Sequence, residues 1–510
     1  MHRLFFLAFL AFFRPSSAAP TSQPSVTTTH GTWLGSTSSG IDSFKGIPFG
    51  KAPTGDLRFA APVKDDTDYG ERDASSFGKS CPQMNFANGV FPGFFNDIAQ
   101  DIVDTITSLP LFSSIASTDA SEDCLNLNVW RPTGTTADDK LPVMVWIFGG
   151  AFLIGGTSMY DPSNLISRSV SLDQPIIVVS MNYRLNSFGF LPGAESAADS
   201  SVAPNAGLMD QRLALEWVQA NIASFGGNPT KVTIFGESAG GISVAFQLMA
   251  YDGDIKSTES GNDLFRAAIM QSGSPIPVGP PSYGQDSFDT LANAGGCGST
   301  SDKIACLRAL SYDEMRDATS TILALGTLNI TTEAQLKSWL KEVWFPRASD
   351  DQIEQLLDYY PADITKGSPF DTGILYAVTS QSKRINALVG DLVFQAPRRA
   401  FMGYTNSTQN TWSYASRAWR ATPFLGSFHF SDVLAVFGLD LFAPSEEMQT
   451  RWINFAYNLD PNVNGWTNWP QYGSSASLLQ FTDTSSSVIT DNYRAEGIAY
   501  IWAQVDDFTL

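Results

Sequence analysis

The chain has 510 residues, and its acidic residues outnumber the basic ones 51 to 31, a formal net charge of −20 at pH 7. Hydrophobic residues make up 43% and charged residues 16%, which supplies a large core and excludes a disordered, collagen-like or coiled-coil chain. A polyanion of this kind repels phosphate backbones, so no nucleic-acid partner is expected. Only His2, His30 and His429 are histidines, too few to build a histidine metal site, so neither metal nor cofactor is expected.

Residues 1–19 read as a secretory signal peptide. Arg3 precedes an unbroken apolar run from Leu4 to Phe13, and Ser16, Ser17, Ala18 and Ala19 supply small residues for cleavage. The run is too short to span a bilayer, which takes roughly 20 residues, and no later stretch reaches that length. The expected product is an extracellular protein without a transmembrane span, in which His30 and His429 are the remaining histidines. Secretion permits disulfides. Cys81, Cys124, Cys297 and Cys306 allow three pairings, of which the sequential one, Cys81–Cys124 with Cys297–Cys306, is simplest. Asn329-Ile330-Thr331 and Asn406-Ser407-Thr408 are acceptors for N-glycosylation, whereas Asn228 is followed by Pro229.

Short apolar runs then alternate with helical patterns. Val143–Phe148, Ile176–Val179, Val232–Phe235 and Ala267–Met270 are continuous apolar runs of the kind that form strands buried on both faces. Met209–Ile222 carries apolar residues at helical spacing. The alternation predicts one α/β domain over residues 20–510, with a large, mostly parallel sheet and helices on both faces.

The strongest local signal is Gly236-Glu237-Ser238-Ala239-Gly240, a G-x-S-x-G placed after a strand ending at Phe235 and before a helical stretch from Ala239 to Met249. That strand–turn–helix context is what lifts a serine hydroxyl above a sheet as a nucleophile. The flanking glycines permit the strained turn, and the new helix directs its N-terminal N–H groups at the same spot. Upstream, the strand Leu141–Phe148 runs into Gly149-Gly150-Ala151. The backbone N–H groups of Gly150 and Ala151, with that of Ala239, are the expected oxyanion donors. Gly150–Thr157 also has the outline of a phosphate-binding loop, but Gly156 stands where that motif needs Lys.

With these segments in place the chain resembles the type-B carboxylesterase/lipase family of the α/β-hydrolase fold, close to the secreted fungal lipases of the Candida rugosa and Geotrichum kind. Phe44-Lys-Gly-Ile-Pro48, Leu57-Arg-Phe59, Ser121-Glu-Asp-Cys-Leu-Asn-Leu-Asn-Val-Trp-Arg131, Asn182-Tyr-Arg184, Asn205-Ala-Gly-Leu-Met-Asp-Gln211 and Phe225-Gly-Gly-Asn-Pro229 all agree with it. The resemblance runs from about residue 30 to the C-terminus with one break. It implies a secreted carboxylic ester hydrolase, lipase or sterol-esterase-like, that works through an acyl-serine intermediate on Ser238 and acts on ester or lipid substrates. His429, in Gly426-Ser-Phe-His-Phe-Ser-Asp432, resembles the family's catalytic-histidine loop and lies downstream of the nucleophile, as the order Ser, acid, His requires. His429 is therefore the expected base.

The break falls on the third member. The resemblance implies a buried strand and an acid loop reading Glu-Gly between Cys306 and the sequon at Asn329. Here Cys306 leads through Ala309–Ile322 directly into that sequon. The Glu-Gly pair of this chain, Glu496-Gly497, lies beyond His429. The catalytic acid is therefore unassigned, with Glu237, Glu314 and Glu333 as the surrogates to weigh. A skipped strand would leave unpaired sheet edges in a buried position. An internally shortened enzyme is the expected reading, and a catalytically impaired or silent binding relative is the alternative. The resemblance also implies a lid at about residues 82–123, closed by Cys81 and Cys124. There Ile98, Ile102 and Ile106 form one helical stripe, with Asp97, Gln100, Asp101 and Asp104 off it, an arrangement suited to a lipid–water interface.

Overall fold

A computed structural model describes residues 23–84, 119–321, 330–422, 425–438 and 444–509. The signal segment, most of the expected lid and Asn329 lie outside the described residues.

The continuous apolar runs become the centre of a sheet. In chain order the strands are β1 (Ser25–Thr28), β2 (Gly31–Leu34), β3 (Ser36–Ser38), β4 (Ile41–Pro48), β5 (Glu71–Asp73), β6 (Asn126–Pro132), β7 (Leu141–Ile147), β8 (Ile177–Met181), β9 (Gly227–Glu237) and β10 (Ala267–Gln271). Seven of them form one sheet in the order β10-β9-β7-β8-β6-β4-β3, and β1, β2 and β5 form a small separate one. Every residue of β7 and β8 is buried, as are the last six of β9. That is why these strands lack hydrophobic alternation: both faces are covered. The half built from β10, β9, β7 and β8 is parallel. The other half, through β6, β4 and β3, is antiparallel, so the sheet as a whole is mixed. The parallel half carries the candidate site.

Helices cover it in two groups. Ala206–Asn221 packs with Ala239–Met249, and Ser163–Ser171 packs with Ser445–Asn458. Trp146 of β7 sits among Tyr160, Phe235 and Phe437 with ring centroids 4.8–5.1 Å away. Beneath the sheet a buried Arg184–Asp210 ion pair, 2.7 Å long, ties the segment after β8 to the helix Ala206–Asn221. Among the described residues no helix is long and apolar enough to cross a membrane.

The sheet then stops short. A second three-stranded sheet is formed by β11 (Tyr414–Ser416), β12 (Ser477–Phe481) and β13 (Ser486–Thr490), in that order. Among the described residues β10 has no partner on its outer side, and neither has β11. The first four residues of β10 are only half-buried, unlike the same stretch of its neighbour β9. Both free edges line one cavity of about 1560 Å³.

Two disulfides close loops of very different size. Cys81–Cys124 spans 43 residues and Cys297–Cys306 spans 9. Loop-closure entropy gives about 4 kcal/mol for the larger loop and about 2.6 kcal/mol for the smaller. Urea denaturation of Cys81→Ser/Cys124→Ser and of Cys297→Ser/Cys306→Ser is expected to show both losses, the first the larger.

Candidate active site

The turn at Ser238 is the most constrained backbone near the site. β9 ends at Glu237, a helix begins at Ala239, and Ser238 between them has φ 57° and ψ −125°. For a residue with a side chain this conformation costs on the order of 1–3 kcal/mol. It is held by Ser238 N–H donating to Gln271 O at 3.0 Å and Ile242 N–H donating to Ser238 O at 2.9 Å. Gly240 is required by contact: a Cβ there would lie 2.0 Å from Ile147 O at the end of β7. The helix therefore starts directly against the sheet, with its N-terminal N–H groups at the serine.

The loop after β7 is equally forced. Gly150 has φ 113°, and a Cβ there would lie 2.1 Å from Ile154 O. Ala151 and Phe152 follow at φ 56° and 61°. The turn closes through Leu153 and Ile154 N–H groups on Gly150 O, at 3.0 and 3.2 Å. The N–H groups of Gly150, Ala151 and Ala239 make no hydrogen bond to the described residues. Three unused donors on two strained loops can receive an oxygen that gains negative charge.

His429 lies just before the short helix Ser431–Val436 and lines the cavity between β10 and β11. Its ring rests on Phe394, centroids 4.7 Å apart. Its Nε2 lies 3.2 Å from Glu237 Oε1, without the alignment of a hydrogen bond. No hydrogen bond joins Ser238 Oγ to His429, and Nδ1 has no partner among the described residues. Burial lowers the imidazole pKa to about 4. Because 44% of the side chain is exposed, solvent in the cavity moderates that shift. Glu237 itself is buried, and burial first, then the nearby Asp432, pushes its carboxyl well above the usual carboxylate range.

Of the three surrogate acids, only Glu237 approaches His429. Glu314 closes a capping box on Ser311. Glu333 pairs with Arg384 at 2.9 Å. Glu496 of the lone Glu-Gly pair is exposed in the first turn of the helix Ala495–Ala503. Asn406, the described sequon, sits partly exposed at the end of the helix Ala396–Thr405.

Sequence reasoning missed a buried polar network behind the histidine. Asp432 accepts from Tyr414 Oη at 2.6 Å and from Gln271 Nε2 at 3.3 Å, and Trp452 Nε1 donates to Gln271 Oε1 at 3.1 Å. Burial raises the Asp432 pKa, and these donors oppose the rise. The available signal was Asp432 itself, the one acidic residue in the His429 segment. Asp432→Ala leaves the Gln271 and Tyr414 donors unpaired, at about 1–3 kcal/mol for each one that stays buried. Its thermal midpoint is expected to fall accordingly.

Comparison with known proteins agrees with this architecture. The model of the Carboxylesterase family matches residues 22–366. "Lipase 4" of Diutina rugosa is 40% identical over 92% of this chain and 93% of its own. "Secreted triacylglycerol lipase LIP1" of Gibberella zeae is 39% identical over 93% of this chain and 89% of its own. The crystal structure of Aspergillus niger EstA superposes with a TM-score of 0.77, covering 96% of this chain and 99% of that one at 22% identity, a likeness of fold. The chain belongs to the carboxylesterase family, carboxylic ester hydrolases of the α/β-hydrolase fold.

Proposed function

We propose that this protein is a secreted lipase-type ester hydrolase that works through an acyl intermediate on Ser238. The observation that carries the reading is the strained Ser238 turn, packed against Gly149 and followed directly by Ala239, with the N–H groups of Gly150, Ala151 and Ala239 making no hydrogen bond to the described residues. Ser238 Oγ attacks the ester carbonyl while His429 Nε2 takes its proton. The carbonyl oxygen, now negative, receives the three N–H groups. His429 returns the proton to the departing alcohol oxygen, and water hydrolyses the acyl-serine by the same steps. No metal or cofactor takes part.

Secretion is supported by the signal-like residues 1–19 and by relatives named as secreted lipases, among them "Secreted lipase 1" of Botryotinia fuckeliana. Lipid substrates are supported by those names and by the apolar stripe Ile98, Ile102, Ile106 within the Cys81–Cys124 loop. A lid there would place turnover at a lipid–water interface.

A second reading has a specific observation in its favour. Among the described residues His429 Nδ1 has no acid to hold it, and Nε2 lies 3.2 Å from Glu237 Oε1 with no hydrogen bond to Ser238. Loss of the acid alone lowers turnover by about 10⁴ in a comparable triad. The 510-residue chain is then an enzyme of low turnover, or a silent binding relative.

A fluorophosphonate probe tests both. Covalent labelling at Ser238, abolished in Ser238→Ala, is expected for the hydrolase. No labelling of the folded chain would leave the binding protein. The pH profile tests the base. The imidazole must be neutral to accept a proton, and its pKa is displaced downward from 6.5 toward about 4. Activity is expected to persist at pH 6 and to fall only below it, as the ring protonates. An acid limb at or above 6.5 would contradict the placement of His429.

A further inference from the structure

His429 sits in a tight turn whose backbone does not suit the residue after it. Ser431 N–H donates to Phe428 O at 3.1 Å, which closes a four-residue turn over Phe428-His429-Phe430-Ser431. Phe430, third in that turn, has φ 84° and ψ −12°. Those are the dihedrals of the third residue of a type II turn, a position that favours Gly or Asn. No other non-glycine among the described residues has so large a positive φ. A bulky side chain in this region is an outlier that costs stability, whereas glycine adopts it freely. Such strain persists only where the surroundings over-determine it, so the benzyl group supplies something that glycine would not.

Its contacts show what that is. The Phe430 ring lies 6.3 Å from the ring of Tyr160 and packs against the main core. Tyr160 is buried, with its ring 5.1 Å from Trp146 of β7. β7 leads into the Gly149-Gly150-Ala151 loop, and Tyr160 follows the short helix Thr157–Met159 on the way out of it. His429, one residue before Phe430, is instead exposed to the cavity and rests on Phe394. Neighbouring side chains are thus divided between core and cavity. Asp432 ties the same segment to β10 and β11. The Phe430 ring ties it to β7, the strand that carries the oxyanion loop.

We propose that Phe430 is a positioning residue for His429. Its ring, seated on Tyr160, holds the strained turn in the one arrangement that presents the imidazole to the cavity. With glycine the backbone would be unstrained, but the turn would be free to swing. The rotation of the imidazole about its own bonds is a separate matter, left to Nδ1. Any effect on turnover rests on the proposed role of His429 as base; the effect on where the ring sits does not.

The test compares Phe430→Gly and Phe430→Asn, which suit the turn but lack the anchor, with Phe430→Leu, which keeps an apolar anchor. The chain has three histidines, so the imidazole signal of His429 in isotope-labelled protein is assigned by its loss in His429→Gln. In the unaltered protein a nuclear Overhauser contact between that imidazole and the Phe394 ring is expected. It is expected to vanish in Phe430→Gly and Phe430→Asn and to remain in Phe430→Leu. Displacement of a reacting group by about 1 Å can cost about 100-fold. For p-nitrophenyl butyrate, kcat is therefore expected to fall about 10- to 100-fold in the first two variants with KM little changed, and to recover in Phe430→Leu. A folded Phe430→Gly or Phe430→Asn that keeps the Phe394 contact overturns the proposal. So does its absence from the unaltered protein, or its loss in Phe430→Leu, and this last comparison decides if neither of the other variants folds. Failure of Ser238 to label with the fluorophosphonate probe in the unaltered protein is failure of the hydrolase reading, and the Phe394 contact then judges Phe430 by itself.

Discussion

The structure depends on one backbone contact, the approach of Gly240 to the end of β7. A methyl at that position would lie 2.0 Å from Ile147 O, so the helix Ala239–Met249 begins against the sheet with no side chain between them. That closeness leaves no room for an ordinary loop after β9. Ser238 alone must turn the chain, at φ 57°, and its hydroxyl is lifted away from the sheet. The same approach brings the Ala239 N–H beside the Gly149-Gly150-Ala151 loop leaving β7. The placement of the candidate nucleophile and donors therefore follows from strand–helix packing. The strain of about 1–3 kcal/mol is small beside the burial of β7, β8 and β9 that maintains it.

The same physical logic decides what could be read in the sequence. β7, β8 and β9 were legible because burial on both faces demands continuous apolar runs. The elbow was legible because close backbone approach demands glycine at fixed offsets from Ser238. The antiparallel half was not. β6 and β4 are also buried, and nothing in a strand's own composition reports the direction of its neighbour. The Asp432 network was out of reach for a related reason. Gln271, Tyr414 and Trp452 lie far from Asp432 in the chain, and a hydrogen bond leaves no periodicity. A missing strand was read only through resemblance, because absent residues leave no pattern of their own.

Charge near the candidate site follows from the same burial. Glu237 precedes Ser238 in a strand whose end is fully covered, and its carboxyl meets a second buried acid, Asp432. Two carboxylates so close disfavour double ionisation. With Glu237 held toward its neutral form, its contact with His429 Nε2 adds little attraction for an imidazolium. That agrees with the downward displacement of the histidine pKa. Glu237 is thus poorly suited to replace an acid that should stabilise a charged ring. Its position also puts it on the wrong nitrogen, Nε2, which a serine proton would need.

The Asp432 network explains how a divided sheet still presents a histidine. Gln271 ends β10, Tyr414 begins β11, and Asp432 follows His429 by three residues. By accepting from both Gln271 and Tyr414, Asp432 bridges the two sheets at one end of the cavity, and Trp452 fixes the Gln271 side chain from behind. The segment bearing His429 is therefore anchored to β10 and β11, with no strand between them among the described residues. Its orientation is not set in the same way: among the described residues nothing holds Nδ1, and the ring settles against Phe394 and Glu237. Location comes from the buried carboxylate behind the loop, and orientation must come from a group on the open side of the ring. These are separate requirements, and the described residues meet only the first.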